Sequence, residues 1–310
     1  MNDVVLRLDD IATELGIDRV GVASLMSPVE DRYMDKYDKW IAEGKHADMS
    51  YLVEHRSLRE DPRTLLPEAR TMIVCAVSYY PTALQAPDAP QISKYAYGRD
   101  YHKVLKKVLT SFAERMTDAF GSHTYRVCID TAPISERYWA QRAGIGHIGK
   151  NQNLIIPKIG SYIFLGEILT SLDLTPSDPV HRSCGSCTKC IEACPTQALS
   201  SEGLDARRCL SYLTIEHRGE IPSDLRAALG SRIYGCDTCQ DVCPYNHRPI
   251  KTRLFPASSK ILTLSEDDIR NFDEDTYASL FFGSAATRAK YEGMKRNIEI
   301  YFENKRRKEE

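Results

Sequence analysis

Eight of the ten cysteines lie between positions 184 and 243. The first run is Cys184-Gly-Ser-Cys187-Thr-Lys-Cys190-Ile-Glu-Ala-Cys194-Pro195, with C-x2-C-x2-C-x3-C-P spacing. Thiolates so spaced wrap a corner of a four-iron cluster, and the fourth cysteine ligates a second cluster. The second run is Cys236-Asp-Thr-Cys239-Gln-Asp-Val-Cys243-Pro244, and Cys209 lies between the two. Crossing the fourth ligands assigns Cys184, Cys187, Cys190 and Cys243 to one [4Fe-4S] cluster. Cys194, Cys209, Cys236 and Cys239 take the other. Structural zinc and a disulfide framework are the alternatives. Zinc sites prefer paired C-x2-C knuckles, and neither alternative explains the first run. The chemistry indicated is transfer of single electrons.

Two further stretches could do chemistry. Tyr125-Arg-Val-Cys-Ile-Asp130 reads as a strand ending on an acid, followed by Thr131-Ala-Pro133 and a helix from Ser135 to Ala143. An acid at such a junction sits where sheet proteins place their sites, although a turn or helix-capping aspartate is the plainer reading. In Gly144-Ile-Gly-His-Ile-Gly-Lys-Asn-Gln-Asn153, three glycines let the backbone approach a ligand closely. The spacing matches neither a dinucleotide fingerprint nor a P-loop. Ile92 to His102 is crowded with tyrosines and cations, which suits either a surface loop or a large planar ligand.

The elements that must position these groups are those of an α/β (α+β) domain. Helices are expected at 8–16, 33–42, 48–55 and 101–120, and strands at 20–25 and 71–80, the latter central. Asn153 to Leu169 reads as a hairpin turning at 157–161. Cys75 and Cys128 read as core residues. The domain boundaries predicted are 1–175 for the α/β domain, 176–250 for a ferredoxin-like domain with both clusters, and 251–310 for a C-terminal helical segment. Its cations, from Arg288 to Lys308, suit a solvated helix or an RNA-facing strip.

Net charge is −2 over 310 residues, which argues on electrostatic grounds against non-specific coating of nucleic acid. No apolar run approaches the length of a membrane span. The N-terminus is acidic where a signal peptide is basic, and clustered thiols fit a reducing cytoplasm. No dimerisation segment stands out, so a monomer is expected.

Taken together, several stretches resemble the epoxyqueuosine reductases of the queuosine tRNA-modification pathway. They are Asp48-Met-Ser-Tyr-Leu-Val-Glu-His55, Asp61-Pro-Arg-Thr-Leu-Leu66, Lys94-Tyr-Ala-Tyr-Gly-Arg-Asp-Tyr-His102 and Cys128-Ile-Asp-Thr-Ala-Pro133. Arg142 to Asn151, Gly160 to Glu167, Cys209 to Glu216 and the cysteine runs complete the set. The resemblance spans roughly residues 10–300. The family often has Gly where this chain has Ala132 and Trp where it has His147. Many members also carry C-terminal HEAT-type repeats, of which 283–304 resembles only the start.

The resemblance implies a cobalamin between the two domains and reduction of epoxyqueuosine to queuosine at the tRNA wobble position. It implies Asp130 as the proton donor, which near neutral pH must hold a proton in a partly desolvated pocket. It implies cobalamin contacts at Asn151, Gln152, Asn153 and Leu154, with His55, Lys94, Tyr95 and Ser211 in matching motifs. Glu216, His217 and Arg218 are structural or face RNA; Arg56, Arg59, Arg99 and Lys103 flank the pocket motifs. An unidentified low-potential donor must supply electrons. The rivals are a reductive-dehalogenase-like reductase of a small molecule and a bare electron carrier. A carrier has no need of a large domain ahead of its clusters.

Overall fold

The computed structural model describes residues 3–27 and 29–309, and four strands form its centre. They are β1 (Arg19–Ser24), β2 (Thr71–Ser78), β3 (Tyr125–Cys128) and β4 (Ile163–Thr170). Their spatial order is β1-β2-β4-β3, and every neighbouring pair is antiparallel. β2 is buried along its whole length, as its β-branched and apolar residues require.

Helices cover both faces. α1 (Asp3–Glu14) and α2 (Tyr101–Phe120) lie on one side. α2 starts where the Asp100 carboxylate accepts the His102 N–H and stops at Gly121. Its Leu105, Leu109, Phe112 and Met116 recur at helical spacing and pack against Val22, Ile73 and Ile168. On the other face α3 (Glu136–Arg142) buries Trp139 and Ala140 against Met72, Val74 and Leu169. Each such buried large side chain contributes about 1.5–3 kcal/mol.

The expected helix over 101–120 and the central strand match the observed elements. The expected hairpin over 153–169 does not form as one unit. The chain does turn there, with a bridge between Ile156 and Gly160, but its arms part. Leu154–Ile155 pairs with His147–Ile148, while β4 joins the main sheet.

The cysteine-rich segment is stitched to the sheet domain. Arg232–Tyr234 pairs in parallel with Gln91–Ile92. Ser161 donates its N–H to Asn246 Oδ1 at 2.7 Å and its carbonyl accepts from Gln240 Nε2 at 2.8 Å.

The tail is held more firmly than a solvated helix. In α4 (Lys290–Glu309), Asn297 is fully buried and donates to the Thr214 and Ile233 carbonyls at 2.9 Å. Arg296 donates to the Leu213, His217 and Gly219 carbonyls, and Lys305 pairs with Glu266. These cations are committed to the fold. Among the described residues, no helix is long and apolar enough to cross a membrane.

Candidate active site

The thiols that influence one another follow the lines of the two expected sets. Burial raises the Cys190 and Cys243 thiols, and the neighbouring thiols felt by Cys190 are Cys184 and Cys243. Cys243 feels Cys184 and Cys187. Burial likewise raises Cys209 and Cys239; Cys209 feels Cys236 and Cys194, and Cys239 feels Cys236 and Cys209 most. Cys239 also feels Cys190, which sets the two groups side by side. Among the described residues no three ligand-type side chains converge on a point suited to a single ion. Thiolates holding separate corners of a cube need no such convergence.

Ser211 has its place here. It follows Cys209 by two residues in a short helix whose first N–H groups oppose the burial that raises the Cys209 thiol. Such N–H groups favour the thiolate form a cluster needs.

Residues 150–154 join the cysteine loops to the sheet domain. Lys150 Nζ donates to the Gly185 and Cys187 carbonyls, both at 2.9 Å. Asn151 Nδ2 donates to the Cys239 carbonyl at 3.3 Å, beside the second thiol set. Gln152 has φ +62°, and its carbonyl accepts from Arg137 of α3. Asn153 is half-buried and Leu154 buried. The preceding glycines serve close packing of the chain, beside the ligand approach their spacing suggests. A Cβ on Gly146 would meet the Ile155 carbonyl oxygen at 2.4 Å, and one on Gly149 would meet Ile155 Cδ1 at 2.6 Å. A Cβ on Gly144 would meet the Asp178 carbonyl oxygen at 2.5 Å. They let the chain pack on itself.

Asp130 follows β3 with φ +38°, a strained value for a non-glycine residue. Its Oδ2 lies 3.0 Å from His102 Nε2, and His102 Nδ1 lies 2.8 Å from Asp100 Oδ1. The His102 ring stacks on Tyr101 at 4.1 Å, and Tyr101 stacks on Phe164 at 4.2 Å. Thus α2 delivers an oriented imidazole to the acid.

The Asp130 side chain is 53 % exposed, yet protein surrounds it closely enough that desolvation is the largest influence on its pKa, pushing it up. Hydrogen bonds from His102 and Tyr101, with the charges of His102 and Arg288, outweigh burial and hold the carboxyl below its ordinary range. These influences favour the ionised form of Asp130, against the expectation of an acid that holds its own proton. The pKa of His102 is raised, chiefly by its bond to Asp130 and then by Asp100.

The other expected contacts divide. His55 is exposed between two short helices, Ser50–Glu54 and Arg56–Glu60. Lys94 pairs with Asp241 at 2.7 Å and Asp237 at 3.3 Å, and the half-buried Tyr95 shares a hydrogen bond with Tyr234 at 2.7 Å. Both tie the sheet domain to the second cysteine loop. Arg56 is spent on Asp38 and Glu60, whereas Arg99 and Lys103 are exposed beside Asp100 and His102. Glu216 pairs with Arg288 through two 2.9 Å bonds, His217 meets Asp48 at 3.0 Å, and Arg218 bonds the Ile215, Ala289 and Arg288 carbonyls. All three have structural work. Sequence reasoning missed His102 and Glu136 as site groups. The Asp100-x-His102 spacing at a helix start was the available signal for the first.

His147 is fully buried, packs at 5.4 Å on Tyr245, and neither ring nitrogen has a hydrogen-bond partner. Burial depresses its pKa, so the neutral ring fills space as an aromatic residue. An unpaired buried N–H costs about 1–3 kcal/mol. His147→Phe is therefore expected to stabilise the protein by about 1 kcal/mol, read as a raised denaturant midpoint at unchanged slope.

Comparison with known proteins agrees with this geometry. The family described as "4Fe-4S double cluster binding domain" matches residues 183–246. That described as "Epoxyqueuosine reductase QueG, DUF1730" matches residues 59–131. The epoxyqueuosine reductase of Leadbetterella byssophila is 37% identical over 300 residues, covering 96% of this chain and 98% of the relative. The structure of the Streptococcus thermophilus enzyme superposes with a TM-score of 0.85 at 30% identity, covering 98% of this chain and 82% of that one. An epoxyqueuosine reductase solved with an epoxyqueuosine-modified tRNA-Tyr stem loop gives 0.83 at 28% identity, covering 97% and 81%. On these grounds the chain belongs to the epoxyqueuosine reductases, a family of iron–sulfur oxidoreductases.

Proposed function

We propose that this protein reduces epoxyqueuosine to queuosine in the anticodon loop of tRNA, with Asp130 delivering a proton to the epoxide oxygen. The observation carrying the reading is the 150–154 segment. It touches both cysteine loops on one side and, on the other, Arg137 of α3, whose first residue Glu136 accepts the Asp130 N–H. The cluster loops are thereby joined to the helix that follows the acid. A relative solved with a modified tRNA stem loop supports the substrate.

A cobalamin would sit in a basin beside Asp130. Asp130 and Gln152 both have positive φ, Arg137 of α3 reaches the Gln152 carbonyl, and the buried Arg59 Nε has no hydrogen-bond partner. Gln152, Asn153 and the backbone through Leu154 would hold the group. His55 stands farther out and Lys94 and Tyr95 support the wall. When bound, cobalamin supplies strongly reducing two-electron chemistry at the epoxide carbon.

The chain's own residues manage protons and position. Opening the epoxide leaves an alkoxide, which needs an acid within hydrogen-bond reach. His102 hands its proton to Asp130, and Asp100 keeps the imidazole aimed. Filling the basin removes water from Asp130 and favours its protonated form. Arg99 and Lys103 meet RNA phosphates, and the nucleotide is extruded into the basin. The proposed units are residues 1–175, 176–250 and 251–310, acting as a monomer in a reducing cytoplasm and fed by a low-potential donor.

With His102 as the proton source, kcat should fall on the alkaline side, with a midpoint above 6.5. His102→Gln should lower kcat about 100-fold and abolish that limb in a pH–rate profile. The function itself is tested in a strain lacking the gene. Its tRNA should accumulate epoxyqueuosine, and a complete absence of accumulation would refute the reading.

A further inference from the structure

Three stretches of the chain carry cations and no carboxylate. They are 143–161, with Lys150 and Lys158; 179–191, with Arg182 and Lys189; and 242–251, with Arg248 and Lys251. Of the acids that bound the last two, Glu192 accepts from the Thr188 hydroxyl, and Asp241 from Lys94 and Tyr162. Among the described residues only Asp178 stands exposed and unengaged at their edge. In a chain of net charge −2 this is a strong local asymmetry.

The fold brings the three stretches together. Lys150 Nζ holds the Gly185 and Cys187 carbonyls. His147 packs on Tyr245, Ser161 N–H bonds Asn246 Oδ1, and the Ile250 N–H donates to the Ile159 carbonyl at 3.3 Å. The short helix Lys189–Glu192 packs beside Thr238–Asp241, which leads into the third stretch. Lys158, Arg182, Lys189, Arg248 and Lys251 are exposed, and none has an anionic partner among the described residues. Pro244 and Ile250 of the third stretch are apolar and exposed. The Ile250 backbone is fixed at its N–H and at its carbonyl, which accepts from Ser78. Fixed apolar groups among unpaired cations suit a protein-docking surface.

This face belongs to the first cysteine run, which is the outer one. Ser183, Gly185, Ser186 and Thr188 around Cys184 and Cys187 are exposed. Leu210, Asp237 and Gln240 beside Cys209, Cys236 and Cys239 are buried. The substrate side lies elsewhere: Asp130, His102 and Glu136 bond one another and make no hydrogen bond to these stretches.

We propose that this face docks a small one-electron carrier protein whose surface around its cofactor is acidic. The inference rests on the epoxide-reductase reading for the use of the electrons, and it names the kind of partner that delivers them. In each encounter the carrier's cofactor loses one electron and the cluster of the first run gains it, with no bond made or broken. Two encounters supply the two electrons that the epoxide requires. Opposite charge speeds the encounter and orients the carrier toward Cys184 to Cys190. The same charges would attract RNA, and the test separates the two.

The test uses the cluster-loaded, cobalamin-loaded protein without oxygen. The probe is a reduced flavodoxin, a flavoprotein carrier chosen for an acidic surface. Stopped-flow absorbance follows bleaching of the iron–sulfur band, with no tRNA present. The second-order rate should fall about 10-fold as ionic strength rises from about 0.01 to about 1 M. Combined Arg182→Glu, Arg248→Glu and Lys251→Glu should lower it about 10–100-fold at low salt. Combined Lys36→Glu, Lys106→Glu and Lys107→Glu makes the same change of net charge at exposed positions elsewhere, and should stay within about three-fold of wild type. In the first variant iron content, reduction by the small cation of reduced methyl viologen, and stem-loop affinity should match wild type. A salt-independent wild-type rate, equal losses in the two variants, or an equal loss with methyl viologen would overturn the docking face. So would weakened stem-loop binding at an unchanged flavodoxin rate, which would give the face to RNA. If flavodoxin reduces the clusters as expected and epoxyqueuosine stays unreduced, the enzyme reading fails and the docking face stands.

Discussion

Asp130→Asn is expected to lower kcat by about 10²–10⁴-fold while leaving iron, sulfide and corrinoid contents at wild-type levels. The backbone at this position has φ +38°, and asparagine is among the side chains that tolerate that region best. The amide can still meet His102 at 3.0 Å, so the basin should keep its shape. What is lost is the capacity to take a proton from the imidazole and give it to an alkoxide. KM for the stem loop should therefore change little, the pattern of a group that acts in the transition state. Single-turnover reduction followed by nucleoside mass analysis gives the number. Wild-type turnover in the variant would remove Asp130 from the mechanism.

Cys209→Ser should have a comparably large effect through the electron path. Burial raises the Cys209 thiol, and the neighbouring thiols it feels are Cys236 and Cys194. A serine oxygen is a hard ligand in a site built for soft thiolates. Iron content is expected to drop to about half, one cluster of two, and turnover to background. The second set is the one beside Asn151, so its loss severs the approach to the basin. Cys75→Ala is the control. That thiol is buried in the core among Val22, Ile73 and Ile168, and the variant should keep full iron content. Iron loss in Cys75→Ala, or full iron in Cys209→Ser, would contradict the crossed assignment.

How much was legible in the chain depends on how local each signal is. The cysteine loops are local, because cluster ligation fixes their spacing. Asp130 was legible as an acid between a strand and a helix, but its protonation state was not. That state depends on His102, 28 positions away, which only the packing of α2 beside β3 brings to 3.0 Å. The hairpin over 153–169 was misread because the turn is genuine while the partner strand comes from 147–148, admitted by glycines that resemble a ligand loop. Lys94 and Tyr95 lie in a motif that suggests ligand contact, and their partners in the second cysteine loop are non-local.

The central claim is that this chain couples cluster electrons to removal of an epoxide oxygen in tRNA. Purified protein carrying both clusters and cobalamin, given a low-potential reductant and epoxyqueuosine-containing stem loop, tests it directly by nucleoside mass analysis. The predicted result is conversion of epoxyqueuosine to a nucleoside one oxygen lighter, over several turnovers. Unchanged epoxyqueuosine in the presence of fully reduced clusters would contradict it.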